Sequence, residues 1–571
     1  MNSRVKLRAR IILIGILLVA IVLCVWLYSI QIVRGDSYAK KANQQYIKPA
    51  TALLDRGSIF FTAKDGTKIQ AATLKSGFKI FMNPSLVLDP KPAYEALSEY
   101  LTLDKEDFMR KVIKSNDHYE ELADRVAEST ATSIRNLGVA GLGVSKETWR
   151  VYPGGSMVAH ELGLLGESAS STSVTGRYGL ERSYENVLKR SGTSSNANAF
   201  AQLFISIRDA LSNGNEEEGD IVTTIEPTTQ KYLEKILGET SLAWRPDSIG
   251  GIVIDPKTGE VVAMSSLPTF DPNDTSSVKN VRVFSNPLVE NVYEMGSIMK
   301  PLTMAVALDT GAETVNSTYD DTGTMTLSGK KISNFDGKAR GVVSMQEILS
   351  QSLNVGVATI ALKVGKEDFS KYFLNFGLGN KTGIDLPNEA TGIVGNLKTG
   401  RDVEIATAAY GQGLAISPIN MVTALSVLAN GGYVVKPHLV KEISHADGTV
   451  KKIDDVRKGP FLKTETTNDV TKMLVEVVDK SLLKGAIKID RYSIAAKTGT
   501  AQIPDHVNGG YYTDRYLHSF FGYLPASNPK YLIFLYQVYP KGAEYASATL
   551  TNPFDQMAKF LIDYYNIAPD R

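Results

Sequence analysis

The chain has 571 residues, with 62 Lys and Arg, 61 Asp and Glu, six His and one Cys. This length leaves room for about three or four domains of roughly 150 residues each. A formal charge of +1, with acids and bases nearly equal in number, excludes the basic footprint of a nucleic-acid-binding protein. The single cysteine excludes an intrachain disulfide and a cysteine-based metal site, and the histidines lack the spacing of zinc ligands.

The N-terminus has the features of a membrane anchor. Basic residues between Arg4 and Arg10 precede an uncharged apolar run from Ile11 to Val33. At about 1.5 Å per residue, this run is long enough for a hydrocarbon layer of about 30 Å. A cleaved signal peptide is the alternative, but the run is too long for one and no small-x-small cleavage site follows it.

The basic flank sets the orientation of this anchor. Because positively charged flanks stay on the cytoplasmic side, residues 1–10 are predicted to be a cytoplasmic tail. Residues 11–33 are then a single-pass transmembrane helix in the cell membrane. Everything that follows is predicted to lie outside the cytoplasm.

Residues 34–219 are typical of an α+β, strand-rich domain, called the pedestal below. The stretch RGSIFFTAKDGTKIQAA, from Arg56, alternates apolar and polar residues around an Asp-Gly turn, as in a β-hairpin. Residues 104–137 carry a helical pattern. Polar and small residues from 192 to 219 indicate a domain boundary, and residues 199–218 look like a helix with an acidic tail.

Residues 220–571 form a second region, with longer predicted apolar elements. TTIEPTTQKYLEKIL predicts a strand and then a helix, and GGIVIDPKTGEVVAMSS predicts two strands around a turn with Pro and Gly. The triplet Lys-Thr-Gly occurs four times, at Lys257, Lys381, Lys398 and Lys497. The first copy is the tip of that hairpin, the next two fall in predicted loops, and only Lys497 lies in a strand of small residues, YSIAAKTGTAQI.

The pattern Ser-x-x-Lys occurs eight times and means nothing alone. Only Ser297, in YEMGSIMKPLTMAVALDTG, stands at the start of a long apolar helix. There the N-terminal end of the helix dipole stabilises an oxyanion, and Lys300 lies one turn on, on the same face. A lysine becomes a base near neutral pH only if burial or a second cation lowers its pKa from about 10.4. An N-cap serine followed by a surface lysine is the ordinary alternative.

A third pattern favours a catalytic Ser-Lys pair over an ordinary N-cap serine with a surface lysine. Ser352 and Asn354 stand two apart in QSLNVG, in a predicted loop between two apolar helical stretches. Ser-x-x-Lys, then Ser-x-Asn, then Lys-Thr-Gly is the motif order of penicillin-binding proteins and serine β-lactamases.

On these motifs the chain resembles a class B penicillin-binding protein, a monofunctional peptidoglycan D,D-transpeptidase, over nearly its whole length. Weaker matches in the same order support the resemblance: Arg56-Gly57-x-Ile59, RVYPGG with AHELGLLG from Arg150, GRYGLERSYENVL from Gly176, AAYGQGLAISPINM, and HSFFGYLPASNPKYLI. The resemblance implies a dimerisation-like pedestal over residues 34–219. It also implies an α/β transpeptidase domain over residues 220–571, built as an antiparallel sheet covered by helices.

The resemblance also implies roles for the motif residues. Ser297, deprotonated by Lys300, would form an acyl-enzyme with a stem peptide; Ser352 would pass a proton to the leaving amine. Asn354 would bond the substrate amide and orient Lys300. Lys497, on an edge strand of the sheet, would bind the substrate with Thr498, Gly499 and Thr500, and the backbone N–H groups of Ser297 and Thr500 would form the oxyanion hole. No metal and no cofactor is implied.

The implied ligands and partners are peptidoglycan stem peptides, β-lactams, the membrane, a multi-span glycan-polymerising glycosyltransferase and other division proteins. QSLNVG resembles division enzymes, which favours septal cell-wall synthesis over an elongation-type transpeptidase. A β-lactamase would need a base for deacylation, and a bifunctional synthase a glycosyltransferase domain; neither is evident. A catalytically silent β-lactam-binding scaffold stays open, because intact motifs do not prove turnover.

Overall fold

The computed structural model describes residues 3–29, 54–114, 117–168, 171–190, 218–445 and 447–571. The predicted membrane span of residues 11–33 is covered only in part, because residues 30–33 lie outside the described ranges. The boundary segment and the predicted helix 199–218 lie outside them as well, apart from their last residues. In the described ranges, no helix is both long enough and apolar enough to cross a bilayer.

The first half of the described chain mixes strands and helices of very different lengths. In chain order these are α1 (Ser3–Tyr28), β1 (Ile59–Thr62), β2 (Lys68–Met82), α2 (Pro90–Ser98), α3 (Lys105–Val112), β3 (Glu120–Val126), α4 (Glu128–Asn136), β4 (Leu142–Val151), α5 (Ala159–Leu162), β5 (Leu165–Ser168), β6 (Ser171–Gly176), α6 (Gly179–Ser183) and α7 (Glu185–Leu188). The predicted hairpin around Asp65 and Gly66 is confirmed, since β1 and β2 pair antiparallel across that turn.

The second half contains most of the helices and strands. They are β7 (Gly219–Thr223), α8 (Pro227–Trp244), β8 (Ser248–Ile254), β9 (Val261–Leu267), α9 (Pro287–Glu290), α10 (Lys300–Thr310), β10 (Thr318–Asp321), β11 (Thr324–Leu327), β12 (Lys330–Ser333), β13 (Gly341–Ser344), α11 (Met345–Ser350), α12 (Asn354–Val364), α13 (Lys366–Asn375), α14 (Gly395–Thr399), α15 (Asp402–Ala408), α16 (Pro418–Ala429), β14 (Val434–Val435), β15 (Val440–His445), β16 (Val450–Lys452), β17 (Arg457–Lys458), α17 (Thr464–Glu476), β18 (Ala495–Pro504), β19 (Tyr511–Leu524), β20 (Tyr531–Val538), α18 (Ala546–Thr549) and α19 (Thr551–Tyr565). Short 3-10 turns include Gly296–Met299, which runs directly into α10.

The chain divides into two compact units. Of the described residues, the first unit contains those within 3–29, 54–55 and 74–149, and the second contains those within 56–73, 150–190 and 218–571. The domain limits at residues 34, 219 and 220 that the sequence indicates stay a prediction.

In the first unit, an apolar core forms where helices pack on a small sheet. Ile80 of β2, Leu97 of α2, Phe108 of α3 and Ile134 of α4 are buried together. The helical pattern predicted for residues 104–137 is wrong in its middle, where β3 separates α3 from α4. β3 pairs antiparallel with the end of β2, because backbone pairing with an adjacent strand outweighs a weak local helical preference.

In the second unit, five strands form the predicted antiparallel sheet. Their order is β18-β19-β20-β8-β9, and each neighbouring pair is antiparallel. α8 and α19 pack on this sheet and on each other, with the rings of Tyr232 and Phe560 stacked at 4.1 Å. The prediction of an antiparallel sheet covered by helices is therefore confirmed, with β18 at its edge.

A helical layer beside the sheet supplies the rest of the core. α16 is buried at every residue and α10 at nearly every residue, as expected for helices that are apolar on all faces. Because α10 is enclosed by packed side chains, its N-terminal turn is held in one position.

Three separate stretches of the second unit meet in a buried ion-pair network. Glu181 is fully buried, and its carboxylate contacts the guanidinium Nε of Arg56 at 2.5 Å and that of Arg150 at 2.7 Å. Arg56 also pairs with Glu185 at 2.8 Å, and Arg150 donates to the carbonyl of Gly57 at 2.7 Å. Although burial opposes it, the charges of Glu181 and Glu185 raise the pKa of Arg56. The network joins the Arg56, Arg150 and Gly176 segments, which are far apart in the chain.

We expect Glu181→Gln to lower the free energy of unfolding by about 3–5 kcal/mol, because it leaves buried guanidinium groups without their carboxylate. Urea denaturation of the full chain measures the effect. Glu239→Gln is the matched control, since Glu239 is exposed and lies 3.9 Å from Lys235; its loss should stay below about 1 kcal/mol. Equal losses in the two variants would contradict the role given to Glu181.

Candidate active site

Ser297 lies where the sequence predicts it, in the turn that begins a buried helix. The 3-10 turn Gly296–Met299 contacts the edge strand β18 and runs into α10. Two hydrogen bonds hold the turn: Ser519 Oγ donates to the carbonyl of Met295 at 2.7 Å, and the N–H of Gly296 donates to the carbonyl of Gly411 at 3.2 Å. The nucleophile candidate is thus tied to the sheet on one side and to the AAYGQG segment on the other.

Gly499 makes the close approach between β18 and this turn possible. A Cβ at this position would lie 2.3 Å from Ser519 Oγ and 2.7 Å from the carbonyl oxygen of Met295. No side chain fits there, which gives the Gly of this Lys-Thr-Gly a packing reason.

Ser352 lies in the tight connection between α11 and α12, as the sequence predicts. Its φ of +56° is in the left-handed region, which costs a non-glycine residue about 1–2 kcal/mol. Such strain persists only where the surroundings hold the backbone in place. Here Lys300 donates hydrogen bonds to both the carbonyl and the hydroxyl of Ser352, the latter at 3.0 Å.

A second lysine reaches the same hydroxyl. Lys497 Nζ lies 3.1 Å from Ser352 Oγ and 3.2 Å from the carbonyl of Thr498. The structure therefore brings together Lys300 from α10, Ser352 from the α11–α12 connection and Lys497 from β18. Lys497 is 145 positions from Ser352 in the chain and Lys300 is 52 positions from it, yet both bond to the same hydroxyl.

Burial controls the charge of these two lysines. Lys300 is 0% exposed and Lys497 3% exposed, and neither forms a salt bridge within the described part of the chain. Burial, together with the charge of Lys497, holds the pKa of Lys300 well below its ordinary value. Burial alone lowers the pKa of Lys497 to about 8. Lys300 is therefore the amine of the pair that gives up its proton more readily, because both burial and a neighbouring cation disfavour its charged form.

Ser297 opens into a cavity of about 640 Å³. In the described ranges its hydroxyl has no hydrogen-bond partner, and Lys300 bonds to Ser352 instead. The cavity is lined by Ser297, Lys331, Ile332, Ser333, Asn334, Phe335, Ser352, Asn354, Tyr410, Gln412, Thr498, Thr500, Gln502, Tyr516, Glu544, Tyr545 and Ser547. The serine is accessible to a ligand, while the lysine amines lie behind it.

The remaining predicted site residues take different positions. Asn354 lines the cavity and donates from Nδ2 to the carbonyl of Ser333 at 2.9 Å. Thr498 and Thr500 line it too, and Thr500 Oγ1 accepts a hydrogen bond from the N–H of Ala546 at 3.0 Å. Gly499 is buried and faces the Ser297 turn rather than the cavity.

Sequence reasoning missed several cavity residues. Phe335 and Tyr545 both line the cavity although they are far apart in the chain. Their ring centroids are 5.9 Å apart in an edge-to-face contact. Nothing in the sequence marks either one. Tyr410 and Gln412 belong to the AAYGQG segment, and that motif could have identified them as cavity residues.

The other Lys-Thr-Gly copies do not contribute to this cavity. Lys257 lies in the β8–β9 turn and Lys381 in a loop, as predicted. The loop predicted for Lys398 is wrong, since it lies in α14, a single helical turn that Gly400 ends with a φ of +62°. A glycine such as Gly400 ends a short helix as readily as it marks a loop.

Comparison with known proteins agrees with this geometry. Residues 249–558 match the penicillin-binding protein transpeptidase domain, and residues 56–199 match the penicillin-binding protein dimerisation domain. Stage V sporulation protein D of Bacillus subtilis is 30% identical over 97% of this chain and 84% of its own length. Peptidoglycan D,D-transpeptidase FtsI of Buchnera aphidicola (strain Sg) is 25% identical over 97% of this chain and 94% of its own.

A solved structure has the same fold. Penicillin-binding protein 2X of Streptococcus thermophilus superposes with a TM-score of 0.73 at 20% identity, covering 90% of this chain and 81% of that chain. The transpeptidase match alone, residues 249–558, spans more than half of the 571 residues. With its dimerisation domain and its Ser297, Ser352 and Lys497 motifs in place, the chain belongs to the class B penicillin-binding protein transpeptidases.

Proposed function

We propose that this protein is a peptidoglycan D,D-transpeptidase that cross-links stem peptides through an acyl-enzyme on Ser297. The observation that carries the proposal is the convergence of two buried lysines on Ser352 beside an accessible serine. Two relatives of this chain, FtsI of Buchnera aphidicola and MrdA of Acinetobacter baumannii, are named peptidoglycan D,D-transpeptidases. The MrdA relative is 26% identical over 97% of this chain and 86% of its own length.

Acylation begins with the neutral amine of Lys300. This amine removes the Ser297 hydroxyl proton as the oxygen attacks the carbonyl between the two terminal D-alanines. The carbonyl oxygen gains the negative charge, which the N–H of Ser297 at a helix start and the N–H of Thr500 in β18 would stabilise. When the C–N bond breaks, the leaving amine takes a proton through Ser352, and the terminal D-alanine departs.

Charge and hydrogen bonds position the donor peptide. Thr498 and Thr500 line the cavity and hold the terminal carboxylate, the cationic Lys497 behind them attracts it by charge, and the peptide pairs with the edge strand β18. Asn354 bonds the amide of the donor. Gly499 lets β18 approach the Ser297 turn, and its contact with the substrate stays a prediction.

Deacylation completes the cross-link. An amine of a neighbouring stem peptide attacks the ester carbonyl, Lys300 receives its proton by way of Ser352, and the Ser297 oxygen leaves as a hydroxyl. β-Lactams acylate Ser297 by the first step. Penicillin-binding protein 3 of Mycobacterium tuberculosis, whose structure with ampicillin has a TM-score of 0.68 at 23% identity, has been solved with such a compound.

The place of action is proposed to be the division septum. QSLNVG supports this role, as does the FtsI name among the relatives. Residues 11–33 would anchor the chain in the cell membrane, with residues 1–10 in the cytoplasm. The exposed apolar side chains of α1, among them Leu18, Val22 and Trp26, support an anchor. A multi-span glycosyltransferase would bind this helix and the pedestal.

Synthesis during sporulation is the second candidate role. The relative with 30% identity is named for stage V of sporulation. The same catalytic site serves either role, so only the time and place of expression separate the two.

Full-length protein in detergent should form a stable adduct with a fluorescent penicillin, and mass spectrometry should place it on Ser297. Ser297→Ala should abolish both the adduct and the cross-linking of stem peptides, because no other group supplies the attacking oxygen. Ser547→Ala, a cavity serine outside the motifs, is the matched control and should still form the adduct. An adduct on any other residue, or penicillin turnover without one, would refute the assignment.

The acylation rate should have a bell-shaped pH dependence. It rises with pH as Lys300 loses its proton, and it falls above about pH 8 as Lys497 becomes neutral. Lys497→Met should remove the alkaline limb, and it should move the acid limb to higher pH because the charge that lowers the pKa of Lys300 is gone. Stopped-flow labelling from pH 5 to 10 measures this. A rate that climbs steadily to pH 10 would contradict the assignment.

Replacing residues 11–33 with an unrelated transmembrane helix should keep the protein in the membrane fraction but reduce co-purification of the glycosyltransferase. A fluorescent fusion of the natural chain should gather at division sites. Deleting residues 1–33 should release the protein from the membrane. If the deleted form stays membrane-bound, or if the swapped helix retains the partner, the anchor is not the contact proposed here.

A further inference from the structure

The end of β12 is attached to the first turn of α12, directly after Ser352. Asn334 follows β12, and its side-chain Oδ1 accepts a hydrogen bond from the N–H of Val355 at 3.1 Å. The carbonyl of Ser333 accepts from Asn354 Nδ2 at 2.9 Å. Two consecutive residues on one strand end thus bond to two consecutive residues of the Ser-x-Asn motif and its helix.

The helix needs this acceptor because it lacks its own. The first N–H groups of an α-helix have no partner within the helix, and a side-chain oxygen at the N-cap usually serves one of them. The N-cap residue of α12 is Leu353, which makes no side-chain cap bond. Asn334 supplies the oxygen from another element and satisfies the N–H of Val355.

Asp321 determines which way the Asn334 amide faces. Asp321 is fully buried, and both of its carboxylate oxygens accept hydrogen bonds from Asn334 Nδ2, at 3.0 and 2.9 Å. Since a carboxylate only accepts, Nδ2 must face Asp321 and Oδ1 is left for Val355. Tyr319 Oη, at 2.8 Å, and the N–H of Arg340, at 3.1 Å, hold Asp321 in turn.

Tyr319 also confines the helix start directly. A Cβ on Gly356, the glycine of QSLNVG, would lie 2.9 Å from Tyr319 Oη. The helix therefore cannot move toward β10 without a collision, while the Asn334 bonds prevent it from moving away. Contacts from both sides restrict the position of the turn that carries Ser352.

We propose that Asn334, oriented by Asp321, is a positioning residue that holds the Ser352–Asn354 turn against the two catalytic lysines. The inference rests on the proposed transpeptidase function. Asn334 acts through Ser352 and Asn354, whose places it sets, and not by proton transfer. Without it, the N–H of Val355 and the carboxylate of Asp321 both lose a partner in a buried setting, and Ser352 leaves its left-handed backbone position.

The test uses full-length Asn334→Ala and a fluorescent penicillin. Concentration-dependent stopped-flow labelling separates the affinity of the initial complex from the acylation step. We expect acylation to slow by about 10-fold to 100-fold while the initial affinity changes less than about 2-fold. The acid limb of the pH profile should also shift, because the distance from Lys300 to Ser352 changes.

Asn420→Ala is the matched control. Asn420, like Asn334, is 3% exposed. Its side-chain Nδ2 donates to the carbonyl of Gly377 at 2.9 Å, and its Oδ1 accepts from the N–H of Gly379 at 3.2 Å. It does not line the catalytic cavity. Its loss should lower stability yet leave the acylation step and the pH profile of the folded protein unchanged.

A swap tests the orientation even if Asn334→Ala fails to fold. Asn334→Asp alone places two carboxylates in contact and should acylate slowly. Adding Asp321→Asn restores a donor facing a carboxylate and should recover at least 5-fold of the lost rate. No recovery, or Asn334 variants that acylate like the Asn420 control, would overturn the proposal. Absence of any Ser297 adduct on the natural chain would instead refute the proposed function.

Discussion

The catalytic site depends on two ammonium-bearing side chains buried around one hydroxyl. Lys300 and Lys497 both donate to Ser352 Oγ, at 3.0 and 3.1 Å, with no carboxylate paired to either in the described part of the chain. Two cations cannot both persist there without a large desolvation cost, so one amine is neutral near physiological pH. A residue type that is normally a surface cation has its pKa lowered here by its surroundings alone.

Such an arrangement requires a rigid frame, because relaxation or water entry would restore both charges. The frame comes from the enclosed helix α10, the edge strand β18 and the α11–α12 connection, which meet through close backbone contacts. Gly499 allows β18 to touch the Ser297 turn, and Asn334 with Asp321 holds the start of α12. The buried Arg56–Glu181 network plays a corresponding part elsewhere in the second unit by joining three distant stretches.

Much of this could be read from residue order. Ser297 at a helix start and Ser352 in a helix–helix connection follow from residue patterns. Lys497 on an edge strand and the antiparallel sheet follow from the family resemblance that the motif order implies. The errors occurred where local pattern competes with long-range pairing. β3 interrupts the helical pattern of residues 104–137 because β2 pairs with it, and Lys398 lies in a helical turn rather than a loop.

The sequence by itself determined the family, the motif residues and the need for a lysine of lowered pKa, because these depend on residue type and spacing. Only the tertiary structure decided that Lys300 bonds Ser352 rather than Ser297, that Gly499 packs behind the cavity, and that Phe335 and Tyr545 line it. It also decided that an asparagine outside every motif caps α12. These are contacts between residues far apart in the chain, and burial and hydrogen-bond direction exist only once the chain has folded.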